Sequence, residues 1–295
     1  MASRPAPNAP EARTVVETPL RVVADPARAA GGGSPALGGL AAHRNEQRAT
    51  PGFYVRSWRR FRRDPISMAA LVVFGLILLF VLAAPLISRL TGFNPYENHL
   101  ADKMTPPFTN GYLLGSDANG RDVLTRLAYG GRISLMIAVL STAVTMLLGG
   151  GIGLISGYAG GLVDSILMRL VDVLLSIPGL PLLILIATLF TLGPLPLALV
   201  LAAVSWMGIA RVVRGEVLRL RRVEYVEAAR LIGASSTRIA LRHVLPNVAP
   251  LLVVFASLSI PGLILTEAAL SFLGIGVQVP DPSWGNMLGE AQDYF

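Results

Sequence analysis

The segment Glu227-Ala228-Ala229-Arg230-Leu231-Ile232-Gly233, followed twelve residues later by Leu245-Pro246, lies between apolar runs long enough to cross a bilayer. A short polar helix held in that way can transmit force, so the work these residues suggest is mechanical. Ala228 and Ala229 leave a shallow surface that fits a partner's groove, and Glu227 offers a charge at one end. Gly233 permits the positive φ of a tight bend, and Ser235 or Ser236 can cap a second short helix beyond Ala234. Leu245-Pro246-Asn247 is expected to stop that helix and start the next span, because proline disfavours helix at the residue before it. The charge run alone fits a solvated basic loop equally well.

Other polar residues also stand in unusual places. Asp117, Arg121 and Asp122 beside Gly115 and Gly120 suit a turn whose charges pair locally as the chain enters the membrane, and contact with a substrate or binding protein is the sharper alternative. Glu267 stands in an apolar run with Ser271 one turn on, and a carboxylate there must face protein or a water-filled path. It suits an interhelical hydrogen bond or a gate. Pro178 and Pro181 should kink their helix at a translocation path, and Arg169 can pair with Asp172 at i, i+3 beside Asp164. Several chemistries are excluded. The single lysine, Lys103, precedes Met104, so no phosphate-binding P-loop exists. Cysteine is absent, His43, His99 and His243 are scattered, and neither a zincin helix nor a hydrolase elbow is present.

The elements that carry these residues follow from composition. Hydrophobic residues make up 53% of the 295 and charged ones 15%, a membrane balance. The net charge of +7 comes from arginines beside apolar runs, which suits membrane orientation and not nucleic acid. Residues 1–52 read as a disordered cytoplasmic tail, and 53–66 as a basic aromatic collar at the membrane surface. Five spans are predicted over 67–87, 133–155, 173–191, 195–210 and 248–270. Arginine bias at the collar and at 211–242 puts both inside, so 211–247 is a cytoplasmic loop, 89–132 an extracytoplasmic one, and the carboxyl end lies outside. Gly149, Gly153 and Gly157 should admit a close helix neighbour.

The Glu-Ala-Ala segment, its Gly233 and its Leu-Pro resemble the EAA motif of permease subunits of ATP-binding-cassette importers. His243 stands where the general motif favours isoleucine, but His-Val-Leu-Pro-Asn resembles the peptide-transporter branch. Two further stretches resemble the dipeptide, oligopeptide and nickel permeases: Leu114 to Asp122 with Arg126, Gly130, Arg132, Ser134 and Leu135, and Glu267 to Gly276 with Pro282 to Leu288. The resemblance implies an all-α polytopic type I importer domain in a bacterial inner membrane, with residues 133–295 as its core. It implies a transport subunit without enzymatic activity of its own. Its partners would be a homologous second permease, two cytoplasmic ATPases that bind ATP and magnesium, an extracytoplasmic binding protein and membrane lipid. Carried over, Glu227, Ala228, Ala229, Gly233, Ala234, Ser235, Leu245 and Pro246 would couple to the ATPases. Gly115, Asp117, Gly120, Arg121 and Asp122 form the extracytoplasmic signature, and Glu267, Ser271 and Pro178 would line a path or gate. Di- or oligopeptides are the expected cargo, with nickel or glutathione as alternatives. An ion-coupled carrier using Glu267 and a non-transporting scaffold are the rival classes. The family has six spans where five are drawn, and the sequence ends at Phe295 where a sixth would follow, either because it is a piece of a longer one or because that helix is absent.

Overall fold

The protein is described by a computed structural model that covers residues 53–190 and 192–292, with side chains from Trp58 onward. The tail expected over 1–52 lies outside the described residues. The chain forms two units, Met1–Ser67 and Met68–Phe295. In the first, helix α1 (Phe53–Arg63) ends on Arg60, Arg62 and Arg63. Asp64 then accepts the Ser67 backbone N–H at 3.2 Å and so caps helix α2 (Pro65–Leu82), whose first residue needs no hydrogen bond.

The described part of α2 in the second unit is apolar on every face and buries only Val81, as a lipid-facing helix should. A turn at Ala83 separates it from α3 (Ala84–Thr91), so the first predicted span is two helices, with proline in the opening turn of the second. The long helix α4 (Val123–Ala159) begins ten residues before the predicted span. Asp122 starts it early by accepting the Thr125 N–H at 2.8 Å and its hydroxyl at 2.5 Å.

Helix α4 packs along α7 (Pro194–Leu220) through its glycine stripe. A methyl group placed on Gly149, Gly153 or Gly157 would lie 2.6, 2.5 or 2.9 Å from the carbonyl oxygens of Trp206, Ala210 and Arg214. The backbones therefore touch, and the side chains of Ile209, Val213 and Val217 fill the flanks. The third predicted span is broken into α5 (Gly161–Leu175) and α6 (Gly179–Leu189), bent by 76°. Pro178 stands at the cap of α6, since it can neither donate to the preceding turn nor leave Ile177 comfortably helical.

Helix α8 (Glu224–Leu231) precedes a short helix α9 (Ser236–Ile239), a π turn (Ala240–Val244) and α10 (Leu245–Phe272). The expected stop at Leu245-Pro246 does not occur. The Leu245 N–H reaches back five residues to the Ala240 carbonyl, a wider turn that accommodates the proline ring, and Asn247 Nδ2 donates to the His243 carbonyl at 2.7 Å. One helix therefore runs over Ser236–Phe272. A last helix, α11 (Trp284–Gln292), lies against α10, where Gly285 meets Ala268 and Ser271.

Of the three apolar clusters among the described residues, the two larger ones do most to hold this unit together. One gathers Ile137, Leu197, Leu201, Leu263, Leu270 and Val277. The other gathers Leu154, Val213, Val217, Val226, Ile239 and Val248 at the opposite end of α4 and α7. Among the described residues four helices are long and apolar enough to cross a membrane, five with the bent pair, and the chain is an all-α polytopic membrane protein.

Candidate functional site

Helix α8 is fixed by one face. Val226 and Ala229, three residues apart, are buried against Leu154, Val213, Val217 and Leu220 at the ends of α4 and α7. This corrects the outward surface expected of both alanines: Ala228 is exposed beside Glu227, whereas helical periodicity turns Ala229 inward. After α8 the chain closes a Schellman turn. Ala234 N–H donates to the Ala229 carbonyl at 3.1 Å and Gly233 N–H to that of Arg230 at 3.0 Å, with Gly233 at φ +82°. Ser235 then caps α9, its hydroxyl accepting the Arg238 N–H at 3.4 Å.

The bend projects two residues that sequence reasoning passed over. Leu231 and Ile232 are 88% and 86% exposed, and Arg230, Arg238 and Arg242 of the same segment are exposed as well. Helical phase carried the signal for Leu231, five residues past Val226 and two past Ala229, whereas Ile232, three past Ala229, is turned out because α8 ends at Leu231 and Ile232 is its cap. An exposed apolar pair on a bend within an arginine-rich segment can plug a hydrophobic groove on another protein. Leu245 is partly buried and Pro246 exposed, both within the continuous helix.

The second group sits at the start of α4. Asp117 accepts the N–H groups of Asn119 and Arg121 at 2.8 and 2.9 Å and the Arg121 Nε at 2.7 Å. The two tight turns need their glycines, since a methyl group on Gly115 would meet the Thr105 carbonyl at 2.6 Å and one on Gly120 the His99 carbonyl at 1.8 Å. Tyr112 donates to the Gly120 carbonyl at 3.1 Å, and burial raises its phenol above the ordinary range, which keeps that proton in place. Local pairing extends further than expected: Glu290 of α11 accepts from Arg121 and the buried Arg126 at 3.0 and 3.1 Å. No local pattern could have supplied a partner so distant in sequence.

Glu267 has no exposed surface. The hydroxyls of Ser134 and Ser271 each donate to one of its oxygens at 2.7 Å. Those hydroxyls accept in turn from the backbone N–H groups of Trp284 at 3.2 Å and Val277 at 3.0 Å. The carboxylate thus ties α4, α10 and the loop into α11 together, with a hydroxyl donor on each of its oxygens. Pro178 is exposed at the break between α5 and α6. At the opposite end of α5, Asp164 takes a bidentate pair from Arg214 at 2.5 and 2.6 Å. Asp172 pairs with Arg211 of α7 and not with Arg169, since a cation on the adjacent helix reaches it. Among the described residues no cluster of three or more acidic, histidine or cysteine side chains could hold a metal.

Residues 149–295 match the family described as binding-protein-dependent transport system inner membrane component, and residues 52–107 match the N-terminal transmembrane domain of oligopeptide transport permease C. The chain is 43% identical over 234 residues to the oligopeptide transport system permease protein OppC of Escherichia coli, covering 79% of this chain and 76% of that protein. It is 38% identical over 236 residues to the dipeptide transport system permease protein DppC of Bacillus subtilis, covering 79% and 72%. The glutathione transport system permease protein GsiD of Pectobacterium atrosepticum is 38% identical over 236 residues, covering 80% and 77%.

Proposed function

The chain belongs to the family of binding-protein-dependent transport system inner membrane components, and from that premise we propose that it is a permease subunit moving di- and oligopeptides across a bacterial inner membrane, driven by separate ATPases. The observation that carries the peptide assignment is the 43% identity to an oligopeptide permease over four-fifths of the chain. Glutathione is the second reading, favoured by the permease of that system among its relatives. The N-terminus and the α8 bend face the cytoplasm, where the arginines cluster, and the Asp117 turn faces the binding protein outside. A homologous second permease completes the path.

In this reading two cytoplasmic ATPases hold ATP and magnesium, and one receives Leu231 and Ile232 in a groove, with Glu227 and Ala228 at its edge. The geometry supports a lever. Closure of the ATPases pushes a bend whose inner face, Val226 and Ala229, is locked to α4 and α7. The same push enters the continuous helix Ser236–Phe272 without a break, so motion at Gly233 reaches Glu267 thirty-four residues away and the staple it makes with α4. Glu267 thereby couples helices, and its two hydroxyl donors leave it ill-suited to the ion relay of a secondary carrier.

Because the chain has no cysteine, Ala228→Cys introduces a single reporter into it. In the complete assembly with second permease, ATPases and binding protein, that thiol should cross-link to an ATPase subunit, and labelled tripeptide should accumulate in proteoliposomes only with ATP. Accumulation that follows a proton gradient without ATP, or a thiol reachable only from outside, overturns the proposal. Preferential accumulation of glutathione over an aliphatic tripeptide selects the second reading.

A further inference from the structure

We propose that helix Phe53–Arg63 is a binding site for anionic phospholipid headgroups, separate from the transport path. At about 100° per residue, Trp58 and Phe61 occupy positions on one side of the helix, and Arg59, Arg60, Arg62 and Arg63 occupy the other. Trp58 and Phe61 stack with centroids 5.8 Å apart, and both stay exposed, Trp58 at 58%. Arg59, Arg60, Arg62 and Arg63 are exposed, and among the described residues none of them enters an ion pair. The acid next to them, Asp64, is engaged as the cap of the following helix through Ser67.

The occupant follows from charge and from chain connectivity. Pro65, two residues after Arg63, opens an 18-residue apolar helix fit to cross the membrane, so the arginines are tethered within about three helical turns of the hydrocarbon. At that depth the dense acceptors are lipid phosphates, which guanidinium groups bind as a planar fork. The aromatic side suits the interface between headgroups and acyl chains. A soluble acidic protein would have to displace a charged surface that the helix cannot leave.

The test uses the assembled transporter in nanodiscs of phosphatidylcholine containing about a quarter phosphatidylglycerol, with retained lipids counted by native mass spectrometry. The unmodified complex should retain phosphatidylglycerol above its bulk share. The variant Arg59→Gln/Arg60→Gln/Arg62→Gln/Arg63→Gln should lose that excess, at roughly fivefold in affinity per arginine. Lysine at the same four positions should restore most of it, and uptake into proteoliposomes of pure phosphatidylcholine should be the same for all three. No enrichment in the unmodified complex overturns the proposal without reference to any variant. An unchanged phosphatidylglycerol count with loss of an ATPase subunit from the glutamine variant also overturns it, and reassigns the helix to a protein contact.

Discussion

Replacing Gly233 by valine tests the lever at its bend. Gly233 sits at φ +82°, and nothing lies within 4 Å of where a Cβ would be, so the substitution meets no steric wall and acts through backbone conformation alone. An L-residue in the left-handed region costs about 1–2 kcal/mol, and a β-branched one falls at the upper end. Relaxing φ instead would break the turn's two bonds, Ala234 to Ala229 at 3.1 Å and Gly233 to Arg230 at 3.0 Å, each contributing about 1 kcal/mol. Either route lowers the population of the bend by roughly five- to thirtyfold. If ATPases grip that bend, ATP-driven tripeptide uptake at matched reconstitution should fall by the same order, while membrane insertion stays unchanged. Asparagine, which tolerates the left-handed region, should lose only a fewfold. Uptake by the valine variant within about twofold of the parent would refute the reasoning. So would an asparagine variant as impaired as valine, because the defect would then follow side-chain presence and not φ.

Four further outcomes follow from particular contacts. Gly153→Ala should lower the detergent melting midpoint, costing about 1–3 kcal/mol as α4 and α7 part around the 2.5 Å approach to the Ala210 carbonyl, whereas Gly151→Ala, which faces open space, should not. Glu267→Ala strips two buried hydroxyls of their acceptor and should cost about 1–3 kcal/mol or more, read as a shortened half-life in detergent; Glu267→Gln keeps one acceptor and should cost less. Leu231→Ser with Ile232→Ser should leave stability unchanged, because both side chains are exposed, but weaken ATPase co-purification by roughly tenfold or more. Pro246→Ala should alter uptake little, since the helix is already continuous there, and a strong uptake defect would return the joint to Leu245-Pro246.

What could be read in advance was local. The bend at Gly233, the cap at Ser235, the break at Pro178 and the glycine stripe each rest on a few adjacent residues whose covalent chemistry restricts the backbone, and all four lie where those residues put them. Two local inferences failed because other contacts outweighed them. Pro246 carries the ordinary signal of a helix end, yet a π turn and the Asn247 amide supply what the ring removes. Arg169 lies three residues before Asp172, yet Arg211 from another helix takes that carboxylate. Glu290 and the Ser134–Glu267 pair were illegible for a different reason: their partners lie 133 or more residues apart, and only packing brings them together.

These misses relocate the joint of the lever. With a stop at Leu245-Pro246, force on the cytoplasmic helices would dissipate in a flexible link before reaching the membrane. With Ser236–Phe272 continuous, the compliance between the α8 face and the Glu267 staple is concentrated in the Schellman turn at 229–234. A turn held by two backbone hydrogen bonds and one left-handed glycine is stiff for small displacements and gives way at a few kcal/mol. That is enough to carry a push from a bound partner, and it places the sensitivity of the proposed coupling at Gly233, not at the proline that the sequence made conspicuous.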